Sequence, residues 1–413
     1  MNHRCKKYIA VLMMLAGSIL LAGCQPSMMF GTAGPWKGRI QTYYTDTTDG
    51  WTLQVDRFQP NQPDPLANPV VFCHGLSYNN RFWDLTEKVS LARYLAASGY
   101  EVWSVSLRGA GLSDQPLASV LRKIGTGSLQ PEFLTEAHKR KLGGAAFSDY
   151  SVDDHINYDV PAVIRLVKAK TGAKKVHWIG HSMGGMVMFA YLATHAQEAA
   201  RDVDTFVAVS VPMAMFHPLN KAMQLQVDNA AALKTGNVFV STSYDAFVAK
   251  VLGKLAPPTI SETLFLNRDN VDDGVLRLLA QWAQESISPG QLDQLFAMAA
   301  DENFYSRDRK VNYTALLDRV NTPTFFLAGQ LDNMANVDAV KFAYRQVSSQ
   351  DKDFRLFARI NNNQADYGHD DIIIGKHARQ EVYPEILNWL QTHRRSQKAL
   401  ATPLPLQPVA PGQ

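Results

Sequence analysis

"KKVHWIGHSMGGMVMFAYLA", Lys174–Ala193, sets how the rest of the chain is read. Its first part is a short, mostly apolar run with β-branched residues, the composition of a buried strand. From Met183 onward it reads as a helix. Gly180-His181-Ser182-Met183-Gly184-Gly185 joins the two. A small hydroxyl between glycines at such a junction matches G-x-S-x-G, a turn so tight that the serine oxygen is lifted above the sheet. Side chains at Gly180 and Gly184 would collide with that turn, and Ser182 itself is expected in a strained conformation. The helix opening at Met183 aims a backbone N–H and a positive dipole end at any anion forming beside Ser182. Gly185 is read as letting this helix pack close to the strand.

Outward from this junction the same pattern recurs as short apolar run, turn and amphipathic helix. The runs are "PVVFCHG" (69–75), "EVWSVSLRG" (101–109), "TFVAVSVP" (205–212), "TPTFFLAG" (322–329) and "FRLFARI" (354–360). Ile156, Val160, Val163, Ile164 and Val167 fall at i, i+4, i+7, i+8 and i+11, one stripe of a helix. Near-continuous apolar strands alternating with helices predict an α/β fold, a mostly parallel central sheet covered by helices on both faces. Ahead of it, "RIQTYYT" and "WTLQVDRF" flank Asp49-Gly50, a hairpin signal. The alternation lapses over 213–321, where "NAAALKTG", "DDGVLRLLAQWAQES" and "GQLDQLFAMAA" read as helices. Structureless loops of that length do not fit compact domains, so an inserted helical cap is expected. A smaller insertion, at 113–149, has no assigned role.

An activated serine needs a base, and the base needs an orienting carboxylate. In the chain order serine, acid, histidine that goes with this turn, His369 in "NNQADYGHDDIIIG" is the one histidine that follows the last predicted strand and precedes the C-terminal helix. The other histidines precede Ser182, sit inside predicted helices or strands, or lie in the insertions. The acid is expected just past the preceding strand, in Gly329-Gln330-Leu331-Asp332. Asp332 is chosen over Asp338, which falls in the following helix. A second oxyanion donor is expected from the loop His74-Gly75-Leu76, so the N–H groups of Leu76 and Met183 form the expected pair. His74 is read as ordering its loop, and Arg108-Gly109-x-Gly111-x-Ser113 as structural. No His/Asp/Glu/Cys cluster shows metal-ligand spacing, and no metal or other cofactor is implied.

Of 41 Lys and Arg residues, three (Arg4, Lys6, Lys7) lie in the first 24 positions, and the other 38 are matched by 38 Asp and Glu. The body of the chain is thus neutral, with no basic patch to recruit nucleic acid. "MNHRCKK" followed by "YIAVLMMLAGSILLAG" has the basic and short apolar regions of an export signal. "LLAGC", ending at Cys24, resembles the lipobox of bacterial lipoproteins, which implies cleavage before Cys24 and its lipidation. Gln25 is not Asp, and by the rule of that family this implies an outer-membrane protein facing the periplasm. Cys5 leaves with the signal and Cys24 carries lipid, so Cys73 has no disulfide partner. The expected layout is a signal peptide (1–23), a flexible tether (24–37), a core (38–212 and 322–396), the cap (213–321) and a disordered Pro-rich tail (397–413).

With "TTDGWTLQVDRF", "CHGLSYNN", "AFSDYSVDDHINYDVPAVIRLVKAKTGAKKVHWIGHSMGG" and "YGHDDIIIG" in this order, the chain resembles the α/β-hydrolases, and among them the acid (lysosomal and gastric) lipase group. More distantly it is similar to the polyhydroxyalkanoate synthases through "YDV…TGAKKV…G"; their nucleophile is a cysteine, whereas this chain has Ser182. The resemblance implies a lipid-anchored serine hydrolase of carboxylic esters, with Ser182, His369 and Asp332 as its triad. The Met- and Leu-rich cap suggests lipid or medium-chain acyl substrates. An acyltransferase sharing the acyl-enzyme is one alternative, and a non-catalytic lipid-binding lipoprotein is the other.

Overall fold

The apolar runs pair into a single eight-stranded sheet of order β1-β2-β4-β3-β5-β6-β7-β8. The structure, a computed structural model, describes residues 35–116, 149–216 and 265–394. The strands are β1 (Ile40–Asp46), β2 (Thr52–Phe58), β3 (Val70–Cys73), β4 (Val102–Ser106), β5 (Val176–His181), β6 (Val203–Val209), β7 (Thr324–Gly329) and β8 (Lys352–Phe357). The hairpin at Asp49-Gly50 joins β1 antiparallel to β2, and β2 is also antiparallel to β4. All remaining pairs are parallel. The helices used below are α1 (Leu91–Ala97), α2 (Val160–Thr171), α3 (Met183–Thr194), α4 (Ala196–Asp202), α5 (Asp273–Leu278), α6 (Pro289–Asp301), α7 (Val337–Gln346) and α8 (Tyr383–Thr392).

The pleat sorts the apolar residues into two cores, one on each face of the sheet. Trp178, Phe206, Ala208, Phe326 and Ala328 join the core built around Phe189 and Val187 of α3. Their neighbours Ile179, Val207, Val209, Phe325 and Leu327 join the opposite core with Phe72, Leu91 of α1 and Ile386 of α8. Strands buried on both faces need apolar residues at every position, which is why they read as continuous runs rather than as alternation. In α3 every residue from Met183 to Ala193 is buried. It has no polar face, as a helix enclosed by its own domain requires.

Three local readings are refined. The stripe Ile156 to Val167 is buried throughout, but its first part is a π-turn, His155–Asp159, that leads into α2. Strand β6 starts at Val203, directly after α4, because Val203 pairs with Val176. Strand β8 starts at Lys352, paired with Thr324. As an edge strand it tolerates Lys352, Asp353 and Arg355, whose charges hide its apolar signal.

Within 265–321 there are the helices α5 and α6 and, among the described residues, no strand of the sheet. Helix α6 is fastened to the segment before α2. Its cap residue Ser288 donates to the Tyr150 carbonyl at 2.5 Å, and Gln294 Oε1 accepts from the Val152 N–H at 2.7 Å. The signal segment with Cys24, "NAAALKTG", nearly all of the 113–149 insertion and the Pro-rich tail lie outside the described residues.

Candidate active site

Ser182 stands between β5 and α3 with φ 52° and ψ −122°, in the region that disfavours any side chain with a Cβ. Backbone bonds hold it there. Its N–H donates to the Val209 carbonyl at 3.0 Å, and its carbonyl accepts from Gly185 at 2.9 Å and Met186 at 3.0 Å. The flanking glycines are a packing necessity. A Cβ on Gly180 would lie 2.5 Å from the Gly184 carbonyl oxygen, and one on Gly184 only 2.3 Å from that of Cys73 at the end of β3. Gly185 lets α3 pack close to the strand, as a Cβ there would lie 3.2 Å from the Gly180 carbonyl oxygen, and there is still less room toward Val211, whose Cγ2 would be 2.2 Å away. Gly185 makes room chiefly for the segment after β6.

His369 and Asp332 come together although 37 residues and strand β8 separate them. Nδ1 of His369 lies 3.0 Å from each oxygen of the Asp332 carboxylate. Asp332 Oδ1 also accepts from the backbone N–H groups of Met334 at 2.9 Å and Ala335 at 2.7 Å, which fixes the carboxylate on its turn. Asp332 and His369 are buried. Burial alone would lower the basicity of His369; the Asp332 carboxylate, by charge and hydrogen bond, together with the charges of Asp370 and Asp371, outweighs it and holds the imidazole above its ordinary value. With Nδ1–H donating to Asp332, Nε2 is left buried and without a hydrogen-bond partner. Asp338 is exposed in the first turn of α7, outside this arrangement.

The loop after β3 closes against the same point. A Cβ on Gly75 would lie 2.9 Å from His181 Nδ1 and 3.1 Å from Ser182 Cβ, so only glycine lets this loop come so near. The N–H groups of Leu76 and Met183 donate no hydrogen bond among the described residues. His74 orders the loop. Its Nδ1–H donates to the Gly75 carbonyl at 2.8 Å and its Nε2 accepts from Leu107 N–H at 3.1 Å. Burial pushes this imidazole down to about 4, so it stays neutral in both roles.

The sequence profile of the alpha/beta hydrolase fold family matches residues 68–358. The chain belongs to that family. It is similar to lipase member K of Homo sapiens, 26% identical over 381 residues that span 85% of this chain and 88% of the relative. It is 30% identical over 180 residues to the gastric triacylglycerol lipase of Homo sapiens, covering 42% of this chain and 40% of the other. Both relatives accord with the acid-lipase resemblance. Among solved structures, the fold is similar to a thermophilic esterase from Thermogutta terrifontis, with a TM-score of 0.52, 16% identity, and 86% of this chain and 99% of that one covered. An esterase (EaEST) from Exiguobacterium antarcticum gives a TM-score of 0.51, 14% identity, and coverage of 85% and 100%.

Around the hydrolase elbow the fold adds groups that no motif announces. His181 Nε2–H donates to the His369 carbonyl at 3.0 Å, and the Tyr78 hydroxyl donates to Asp370 Oδ2 at 2.6 Å. Asp371 accepts from the N–H groups of Gly368 and Asn267, each at 2.9 Å, and from Asn270 Nδ2 at 2.7 Å. This binds the segment that carries Phe265, whose ring lies 5.8 Å from His369, to the histidine loop. The one sequence signal for these groups is the pair of consecutive acids after His369 in "GHDDIIIG", just ahead of an apolar run. His181, His369 and Asp370 also each offer one ligand atom within 4.8 Å of the others. Residues 181 and 369 are too distant in sequence for any ligand spacing to announce that grouping. Farther off, Arg108 is buried against Asp159, at 2.7 Å, and Asp49, also at 2.7 Å, in the structural role expected of it.

Proposed function

We propose that the protein is a lipid-anchored serine hydrolase that cleaves carboxylic esters through an acyl-enzyme on Ser182. The observation that carries this reading is His369, with Nδ1 held by both oxygens of Asp332, Nε2 buried and unpartnered, and its ring 4.8 Å from that of His181, the residue just before a serine on a strained strand-to-helix turn. In this reading His369 Nε2 takes the proton of Ser182 as Oγ bonds to the ester carbonyl carbon. The negative charge formed on the carbonyl oxygen is met by the N–H groups of Leu76 and Met183, which have no competing partner among the described residues. Asp332 keeps the proton of the neutral imidazole on Nδ1 and stabilises the imidazolium. The same proton then passes to the departing alkoxide, and a water activated by His369 releases the acid. Similarity to lipases over most of the chain supports esters, lipids among them, as the substrate class.

A fluorophosphonate probe tests the chemistry directly. Intact-mass and peptide analysis should show one adduct, on Ser182, and Ser182→Ala should remove both adduct and ester hydrolysis while the circular dichroism spectrum is kept. An adduct that survives this substitution puts the nucleophile elsewhere. Membrane attachment is a separate claim, resting on the "LLAGC" run at Cys24. Radioactive palmitate should label the wild type grown in a bacterial host, and Cys24→Ser should lose both label and membrane association. A wild type that takes up no label removes the anchor and leaves the hydrolase reading standing.

A further inference from the structure

Three loops meet at the site: the oxyanion loop after β3, the turn at His181-Ser182, and the histidine loop. Their relative placement decides whether the Leu76 N–H and His369 Nε2 serve the same carbonyl. Asp370 sits at their junction. Its Oδ2 accepts from the Tyr78 hydroxyl of the oxyanion loop at 2.6 Å, and its N–H donates to the Phe265 carbonyl at 2.7 Å. Its Oδ1 is buried without a hydrogen bond, 3.7 Å from His181 Nε2. The Tyr78 ring is stacked on Phe82 at 5.0 Å, and Phe82 on His181 at 4.7 Å. No step of ester hydrolysis uses Asp370, yet a fully buried carboxylate has a large desolvation cost and persists only where its surroundings hold it.

We propose that Asp370 is a positioning residue, which ties the oxyanion loop to the histidine loop through Tyr78 and sets a second buried carboxylate beside the base His369. This rests on the reading of Ser182 and His369 given above. Burial pushes the Asp370 carboxyl up to about 7, with His369 and Tyr78 pulling it down and Asp371 and Asp332 pushing it up. Burial and His369 keep His181 well below its ordinary value, so that imidazole stays neutral. The groups facing Asp370 are therefore Tyr78, neutral His181, His369, Asp371 and Asp332. Of these, His369 gains and loses its proton during turnover, and the ionised Asp370 favours its charged form. Asp370 and His369 then titrate as a pair, and the acid side of the rate profile belongs to both.

The test is the pH profile of kcat/KM on a soluble nitrophenyl ester for wild type, Asp370→Asn, Tyr78→Phe and the double variant. The wild-type acid limb should span two protonations. Asp370→Asn should reduce it to one and move its midpoint to lower pH by about one unit, since the lost charge no longer favours the imidazolium. Tyr78→Phe should lower kcat about tenfold with little change in KM, and the double variant should lose less than the product of the single losses. An acid limb unchanged in Asp370→Asn, or fully multiplicative losses, overturns the proposal. If one variant does not fold, the other decides by the same limb, because Tyr78→Phe removes the donor to Asp370 and must also displace it. Ser182→Ala is measured alongside. Hydrolysis that survives in it refutes the functional reading itself, whereas hydrolysis lost there with an unmoved acid limb in Asp370→Asn refutes only the role of Asp370.

Discussion

Asp332 is held by four hydrogen-bonding contacts, two to His369 Nδ1 and two from backbone N–H groups of its own turn. That geometry separates it from Asp338, six residues on and exposed on α7. Asp332→Asn keeps the shape but presents an amide donor to Nδ1, which favours the wrong tautomer of His369 and removes the charge that stabilises the imidazolium. Turnover should fall by roughly 10⁴-fold, the loss known for a triad aspartate elsewhere. Asp338→Asn should stay near wild type. Asp332→Asn combined with His369→Ala should be no slower than His369→Ala alone, because residues acting as a unit are not additive. Single-turnover rates of the four proteins check this, and an Asp338→Asn variant that is the crippled one would reverse the assignment.

At the scale of elements, the histidine loop is held in shape by the short turn next to it in the chain. That turn, Asp371–Ile374, is buried, and its first carboxylate gathers the N–H groups of Gly368 and Asn267 and the amide of Asn270. One side chain thereby closes the loop on itself and fastens the returning end of the inserted segment to it. Asp371→Ala would strand these donors, at about 1–3 kcal/mol for each that stays buried. The urea midpoint should drop accordingly, and limited proteolysis should open new cleavage sites within 265–271. A variant with unchanged midpoint and digestion pattern would mean that the segment is held by its apolar contacts instead. Helix α6 is fastened differently. Gln291 Nε2 donates to His155 Nε2 at 2.9 Å while His155 Nδ1–H donates to Asp159 at 2.7 Å, so the π-turn supplies an anchor at the level of Met183. His155 and Asp159 bound the π-turn, and such turns recur at functional sites.

For the molecule as a whole, the two acids after His369 make stability depend on pH. Burial pushes Asp370 up to about 7 and Asp371 up to about 6. A carboxyl raised by folding binds its proton more tightly in the native than in the unfolded chain. Its favourable contribution is complete below the ordinary carboxyl value, about pH 4, and is lost as pH rises through 6 and 7. Urea unfolding of wild type and Asp370→Asn at pH 5 and pH 8 isolates one such group from the rest. The variant should gain about 2 kcal/mol relative to wild type between those two conditions. A difference that does not change with pH would show that Asp370 is no less ionised in the folded protein than in the unfolded one.

Much of this protein is legible in order along the chain. Strand-forming runs, the glycines around Ser182 and the order serine, acid, histidine depend on local sterics and periodicity, which neighbouring residues reveal. The partnership of Asp332 with His369 is readable too, because a fixed topology brings the ends of β7 and β8 side by side. Edge strand β8 is less clear, since solvent on one side removes the need for apolar residues that marks the inner strands. The surroundings of Ser182, Asp332 and His369 are set by the packed chain alone: Tyr78 on Asp370, His181 on the His369 carbonyl, Asp371 on the inserted segment, and Gly185 under Val211. These contacts join residues from 101 to 292 positions apart, save for Gly185 and Val211. No periodicity encodes them, because a buried polar atom is satisfied by whichever partner the packed sheet and its loops deliver to it.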